Sequence, residues 1–253
     1  MKISFLFPEK NQGEKLIRHL KETVLPFLDK QPIAYDVLIC PNGCSEEEMN
    51  FLEEAKKELP LQVRVLKNVI PGGKGAGIKE GIEEAQSDFV LFMDADMATD
   101  LEVLNRFLPL LPQYDCILAS RDMPDSVYVQ RQPFRRRFTH WLGRIIIKMK
   151  LHMPFKDTQC GFKAYRTSVA KVMVRHQKFN GFSFDLEYLY FLTLNGFRCK
   201  EIGCKWKDDP DSTISKKSVF ISFYQDLKQI KKNKKTYLLS NEEKEELGGR
   251  YAH

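Results

Sequence analysis

Within the first 120 residues, short apolar runs alternate with segments whose apolar residues recur every three to four positions, and few folds satisfy both periods in turn. The runs are Ile3 to Phe7, Val37 to Cys40, Val63 to Leu66, Phe89 to Met93 and Cys116 to Ala119. Between them stand three helical stripes: Leu16, Ile17, Leu20 and Val24; Met49, Leu52, Ala55 and Leu59; and Leu101, Leu104, Leu108 and Leu111. Each stripe can lay one helix face on a sheet, so the alternation predicts an α/β fold with a mostly parallel sheet flanked by helices. Ser45 and Thr99 each precede a glutamate, Glu48 and Glu102, by three positions, the spacing of a capping box at a helix start.

Beyond residue 120 the pattern changes to a polar loop containing Pro124 and Pro133, and then to a basic amphipathic helix. Phe134, Phe138, Trp141, Leu142, Ile145, Ile146 and Met149 share one stripe, with Arg135, Arg136, Arg137, Arg144 and Lys148 largely on the other side. A glycine-containing loop, DTQCGFK, comes next. Helices are predicted around Ser168 to Val174 and Phe184 to Leu194, and a short strand near Lys200 to Trp206. A second apolar stripe, Val219, Phe220, Phe223, Tyr224, Leu227 and Ile230, lies beside Lys228, Lys231, Lys232, Lys234 and Lys235. This divides the chain into an α/β domain over 1–210 and a C-terminal basic amphipathic helix and tail over 211–253, the tail from Asn241 reading as polar and frayed.

A chain of 253 residues can bury one substantial core, and 29% charged with 43% hydrophobic residues is the balance of a folded domain outside the bilayer. No apolar run approaches the ~20 residues that a spanning helix requires. Pro8 and the charges after it cut the apolar start too short for a signal-peptide core, so it reads as a strand. The six cysteines form neither CxxC pairs nor zinc-ligand spacings with histidine, which favours reduced thiols in a cytoplasmic protein. The net charge of +6 gathers in residues 131–150 and 205–235, which favours an anionic partner such as a membrane surface. Aromatic residues in those stretches follow helical stripes and are not interleaved as stacking platforms, which disfavours nucleic acid.

The strongest chemical signal is VLFMDADMATD, where a hydrophobic strand delivers Asp94 and Asp96 to its carboxyl end, the usual ligand edge of an open α/β sheet. Two carboxylates one residue apart there suit a hard divalent cation and leave room for diphosphate oxygens, although such pairs also occur in turns and caps. Upstream, PGGKGAGIKEG places Lys74 among glycines at a helix start, where backbone amides and an ammonium favour a phosphate. It is neither a Walker loop nor the dinucleotide fingerprint.

In this order, Pro8 and Asn11 after the first strand, GGKGAGIKEG, FMDADMATD, Ser120-Arg121, DTQCGFKAYR and FDLEYLY resemble the family 2 glycosyltransferases. Within that family they look like the polyprenyl-phosphate group of dolichyl-phosphate glucosyl- and mannosyltransferases, and closer to its glucosyl branch. The resemblance implies a GT-A type, Rossmann-like sheet. It also implies a metal-dependent, inverting transfer of a hexose, glucose favoured, from a nucleotide sugar, UDP favoured, to a polyprenyl phosphate at the cytoplasmic face of a membrane.

By the same resemblance, Pro8 and Asn11 line the nucleotide pocket, Lys74 approaches the donor, Asp94 contacts ribose or sugar, and Asp96 binds Mg²⁺ or Mn²⁺. Where the family often carries Asp-Asp-Gly-Ser, this chain has Pro41-Asn42-Gly43-Cys44, and Asn42 keeps hydrogen-bonding capacity toward a base without the charge. Asp157, Gln159 and Asp185 fall on the acceptor side, with Asp157 or Asp185 as base should a hydroxyl be the acceptor. Arg121, Arg131 and Lys163 are candidate phosphate ligands, and Lys216 or Lys217 a candidate closing cation. Two other readings stay open: the same fold acting on a sugar or polysaccharide hydroxyl, and an inactive membrane-surface binding module.

Overall fold

The computed structural model describes residues 1–129, 134–207 and 217–248, with the side chains of 134–142 and 217–222 outside the description. Each predicted apolar run is a strand: β1 (Lys2–Glu9), β2 (Ala34–Pro41), β3 (Val63–Val65), β4 (Phe89–Met93) and β5 (Cys116–Ser120). Four further strands follow: β6 (Val127–Tyr128), β7 (Phe162–Arg166), β8 (Cys199–Gly203) and β9 (Lys205–Trp206). The main sheet runs β3-β2-β1-β4-β7-β5-β8, and β6 pairs with β9 in a separate ribbon. Within the main sheet β7 alone is antiparallel, to both β4 and β5. Its residues were expected in and after a loop, and the predicted strand near Lys200 to Trp206 divides into β8 and β9.

Alternation along the strands feeds two apolar clusters, one per face of the sheet. Leu6, Leu38, Val90 and Phe92 face Ile78 and Ile82 of the helix Lys74–Glu84 and the helices Thr167–Arg175 and Phe184–Leu194. Phe5, Phe7, Val37 and Ile39 face Leu16, Leu20, Leu52, Leu104 and Phe107. The first helical stripe becomes a helix over Gly13–His19 that continues through a π turn, Leu20–Val24, to Leu25–Leu28. The third is broken into short turns, Leu101–Val103, Leu104–Phe107 and Leu111–Gln113. Pro109 and Pro112 fall within that stretch, and proline cannot continue a helical hydrogen-bond ladder.

Neither predicted capping box closes. Ser45 caps the helix Glu46–Lys56 by accepting from the Glu48 N–H, but the Glu48 carboxylate accepts instead from the Gly13 N–H at 2.5 Å. Asp100 rather than Thr99 caps the Leu101 turn, and the Thr99 hydroxyl lies 3.5 Å from the Cys160 sulfur.

The basic segments differ from expectation in what their apolar residues touch. Ile146, Ile147 and Leu151 of the helix Phe134–Leu151, and Phe223, Leu227 and Ile230 of the helix Lys217–Lys232, pack on the core, while Met149 is 69% exposed. The tail is not frayed through residue 248: the helix Asn241–Glu246 carries a closed capping box between Ser240 and Glu243. Arg175 grips Glu246 with two bonds of 2.6 and 2.7 Å, and His176 Nε2 lies 2.9 Å from Glu243. Among the described residues no helix is long and apolar enough to cross a membrane.

Candidate active site

At the carboxyl end of β4 the chain turns sharply, with Met97 in the left-handed region at φ 56°. The Asp94 N–H donates to the Gly161 carbonyl at 3.1 Å, which ties the turn to the start of β7. Gly161 is required by contact, since a Cβ there would run into the Asp94 carboxylate. Asp96 Oδ1 accepts the Ala98 N–H at 3.0 Å, an Asx turn that holds its carboxylate at the strand end, and the side chain is partly exposed.

Lys74 enters from the helix Lys74–Glu84, whose cap, Gly73 at φ 150°, presses against the Asn180 carbonyl where no Cβ fits. Its ammonium meets Asp94 Oδ1 at 2.6 Å and stands 5.4 and 5.8 Å from the centroids of the Phe92 and Phe184 rings. Burial acts to lower its pKa, but Asp94 and Asp185 more than offset that and hold it above the ordinary lysine value.

Behind it, β4 and β7 place Phe92 opposite Lys163. Lys163 is wholly buried, donating to Asp185 Oδ1 at 2.7 Å and to the Cys160 carbonyl at 2.8 Å. That placement corrects its assignment as a phosphate ligand, because no face of the ammonium reaches solvent. Burial raises the Asp185 pKa, with Lys163 and Lys74 opposing. The structure thus gathers Asp94, Lys74, Asp185 and Lys163 into one row of alternating charge.

On the β2 side of the sheet, Pro8 pairs in register with Cys40, which brings the ends of β1 and β2 together beside β4. The buried Asn42 amide donates to the Glu9 carbonyl at 2.6 Å and the Cys40 carbonyl at 3.3 Å. Asn11, in the left-handed region at φ 53°, accepts the Ser45 N–H at 3.0 Å. Two residues the sequence reading passed over fix this corner. Glu9 accepts from the Gln12 N–H and the Cys44 thiol, with its pKa raised by burial. Asn68 accepts the N–H groups of Gly43 and Cys44 at 2.9 and 3.1 Å.

A second group forms at the end of β5. Arg121 donates from Nε and a terminal nitrogen to the two oxygens of buried Asp157, at 2.7 and 2.8 Å, and from its backbone at 2.9 Å. Asp157 also accepts the Gln159 N–H at 3.1 Å, and its own N–H donates to Glu201. A carboxylate engaged this way is built to hold a guanidinium rather than to take a proton. Burial opposes the Arg121 charge and Asp157 more than restores it. Trp206 and Tyr128, neither singled out in the sequence, stand beside Arg121. Arg131 and Lys216, and the side chain of Lys217, lie outside the described residues.

Comparison with known proteins follows the same lines. The model of the family described as "Glycosyl transferase family 2" matches residues 9–174, more than half of the chain. Glycosyltransferase AglD of Haloferax volcanii is 25% identical over 219 residues, 85% of this chain and 34% of that protein, so the chain spans about a third of that relative's length. A dolichyl-phosphate beta-glucosyltransferase of Dictyostelium discoideum is 24% identical over 241 residues, covering 90% of this chain and 73% of that one. Among solved structures, glucosyl-3-phosphoglycerate synthase from Mycobacterium tuberculosis, in complex with Mn²⁺, UDP and phosphoglyceric acid, superposes with a TM-score of 0.64 at 11% identity. That superposition covers 95% of this chain and 80% of that one. S. aureus TarS 1–349 with UDP-GlcNAc gives 0.56 at 18% identity, covering 91% and 65%. Architecture and sequence agree that the chain belongs to glycosyl transferase family 2 and carries its GT-A fold.

Proposed function

We propose that the chain transfers a hexose, glucose favoured, from a UDP-sugar to the phosphate of a polyprenyl phosphate, with inversion at the anomeric carbon. The observation that carries the donor half is the Lys74–Asp94 pair, set where a helix N-terminus meets the carboxyl end of β4. Backbone N–H groups and an ammonium there suit a diphosphate, and Asp94 would accept from a ribose or sugar hydroxyl. Asn42 sits two strands away with its amide nitrogen engaged by two carbonyls, which leaves its oxygen as the acceptor it could offer a base.

Among the described residues no group of three or more His, Cys, Asp and Glu side chains is arranged to hold a metal ion by itself. A hard cation would therefore take carboxylate oxygen from Asp96, with Asp94 beside it, and the donor's diphosphate as its remaining anionic ligand. Mg²⁺ or Mn²⁺ so held would neutralise charge on the leaving diphosphate.

Arg121 orients the acceptor phosphate. A phosphate monoester, with a second pKa near ~6, is already mostly dianionic at neutral pH and needs no base to attack. Its oxygen bonds to the anomeric carbon as the bond from that carbon to the diphosphate oxygen breaks, and attack opposite the leaving group inverts the centre. A hydroxyl acceptor would need a base, whereas Asp157 holds Arg121 and Asp185 holds Lys163. Similarity to dolichyl-phosphate glucosyltransferases supports the lipid acceptor and is consistent with a membrane-surface position at the cytoplasmic face.

The test is transfer from radiolabelled UDP-glucose to farnesyl phosphate in detergent with Mn²⁺, in the wild type and in Asp96→Asn. The wild type gives a β-linked glucosyl phosphate. The variant melts like the wild type but loses about 100-fold or more in turnover, as expected when several kcal/mol of charge stabilisation is removed. Transfer only to free sugars, or donor hydrolysis alone, sinks the lipid acceptor, and full activity in Asp96→Asn removes that residue from the site.

A further inference from the structure

Trp206 stands between two parts of the site that are far apart in sequence. Its strand, β9, is hydrogen-bonded along both edges. On one edge the Lys207 N–H donates to the Ala98 carbonyl at 2.8 Å and the Asp100 N–H to the Lys205 carbonyl at 3.1 Å, with Thr99 opposite Trp206 in an antiparallel bridge. That is the turn whose Ala98 N–H holds the Asp96 carboxylate. On the other edge the Val127 N–H donates to the Cys204 carbonyl at 3.0 Å and the Val129 N–H to the Trp206 carbonyl at 2.9 Å. This second stretch follows Arg121 in the chain, with Asp122 to Ser126 between them.

The side chain repeats the connection. The indole ring centre lies 5.5 Å from Arg121 Cζ, within cation–π range. The Tyr128 ring meets it nearly edge-on, at 5.7 Å and 70°. Asp157 fixes the guanidinium along one edge, within its plane. The indole ring adds a contact to the guanidinium from outside that plane.

We propose that Trp206 is a positioning residue that holds Arg121 in register with the Asp96 turn and thereby sets the spacing between the leaving diphosphate and the incoming phosphate. The assignment rests on the polyprenyl-phosphate reading above. Its action is on the acceptor through Arg121, and it touches neither substrate. Because reacting groups tolerate little displacement, losing this contact should cost about tenfold on the acceptor side.

The experiment measures farnesyl-phosphate KM with UDP-glucose and Mn²⁺, and UDP affinity by calorimetry with Mn²⁺, in the full chain. Trp206→Leu should raise the acceptor KM by about tenfold and leave UDP affinity within about twofold. Trp206→Phe, which keeps a smaller ring over the guanidinium, should fall between Trp206→Leu and the wild type. It also serves if Trp206→Leu does not fold, since it keeps the core filled and should still raise the acceptor KM alone. In an Arg121→Ala background Trp206→Leu should add nothing to the acceptor KM, which a residue that only fills the core would not obey. Parallel losses in UDP affinity and acceptor KM, or no difference between the Phe and Leu variants, overturn the assignment. A wild type that binds UDP yet glucosylates no polyprenyl phosphate sinks the acceptor reading and this assignment with it. Wild-type transfer with an unmoved acceptor KM in the variants sinks the assignment alone.

Discussion

Gly161 shows how a residue with no side chain can decide where a carboxylate lies. Its carbonyl accepts the Asp94 N–H, and its missing Cβ is the space in which the Asp94 carboxylate rests before meeting Lys74. Gly161→Ala should therefore displace Asp94 and weaken UDP binding in the presence of Mn²⁺ by about tenfold, the cost of a misplaced polar contact. In an Asp94→Ala background the same substitution should cost almost nothing, because the clash has no partner; calorimetry on the four proteins checks this. Equal losses in both backgrounds would assign Gly161 to the turn alone. The placement of Asp94 and Asp96 at a strand end and of Lys74 at a helix start was legible in the sequence, because each carries a local signature. Lys163 was not, since a lysine beside a glycine loop reads as a surface cation until its partner, Asp185, is brought from 22 residues away.

At the scale of elements, what stayed hidden was β7. The other inner strands are built around apolar runs, but Phe162–Arg166 holds a lysine at its second position and follows a polar loop, so nothing local separates it from a turn. Its pairing depends on β4 and β5, more than 40 positions away, and on the buried ion pair to the helix Phe184–Leu194. Helix Phe184–Leu194 was read with its bounds intact, because large apolar residues run unbroken from Tyr188 to Leu192 along its middle. The ion pair makes a stability prediction of its own. Lys163→Met leaves the Asp185 carboxylate buried without its partner and should cost about 3–5 kcal/mol in urea unfolding, whereas Lys163→Met/Asp185→Leu removes both charges and should recover most of that loss. A double variant no more stable than the single one would mean that the two residues are not coupled through their charges.

Across the whole molecule, the two basic segments are divided between core and solvent in a way the helical stripes alone did not reveal. Amphipathicity identifies an apolar face but not what covers it, and in the described parts of both helices that cover is chiefly the protein's own core. Lys228, Lys231, Lys232, Lys234 and Lys235 remain exposed along the end of the helix Lys217–Lys232 and the turn after it. Attachment to a membrane through this region should therefore be electrostatic rather than insertional. Each lysine near an anionic leaflet contributes about 1 kcal/mol, so Lys231→Glu/Lys235→Glu should lower partitioning onto phosphatidylserine vesicles by roughly thirtyfold or more. Raised salt should abolish wild-type binding to the same vesicles, because exposed charges are screened. The melting temperature of the variant should stay near that of the wild type, since neither side chain is buried. Vesicle co-sedimentation at low and high salt separates the outcomes: binding that survives high salt would assign attachment to apolar residues such as Met149, and no binding at low salt would remove this lysine face from any role at the membrane.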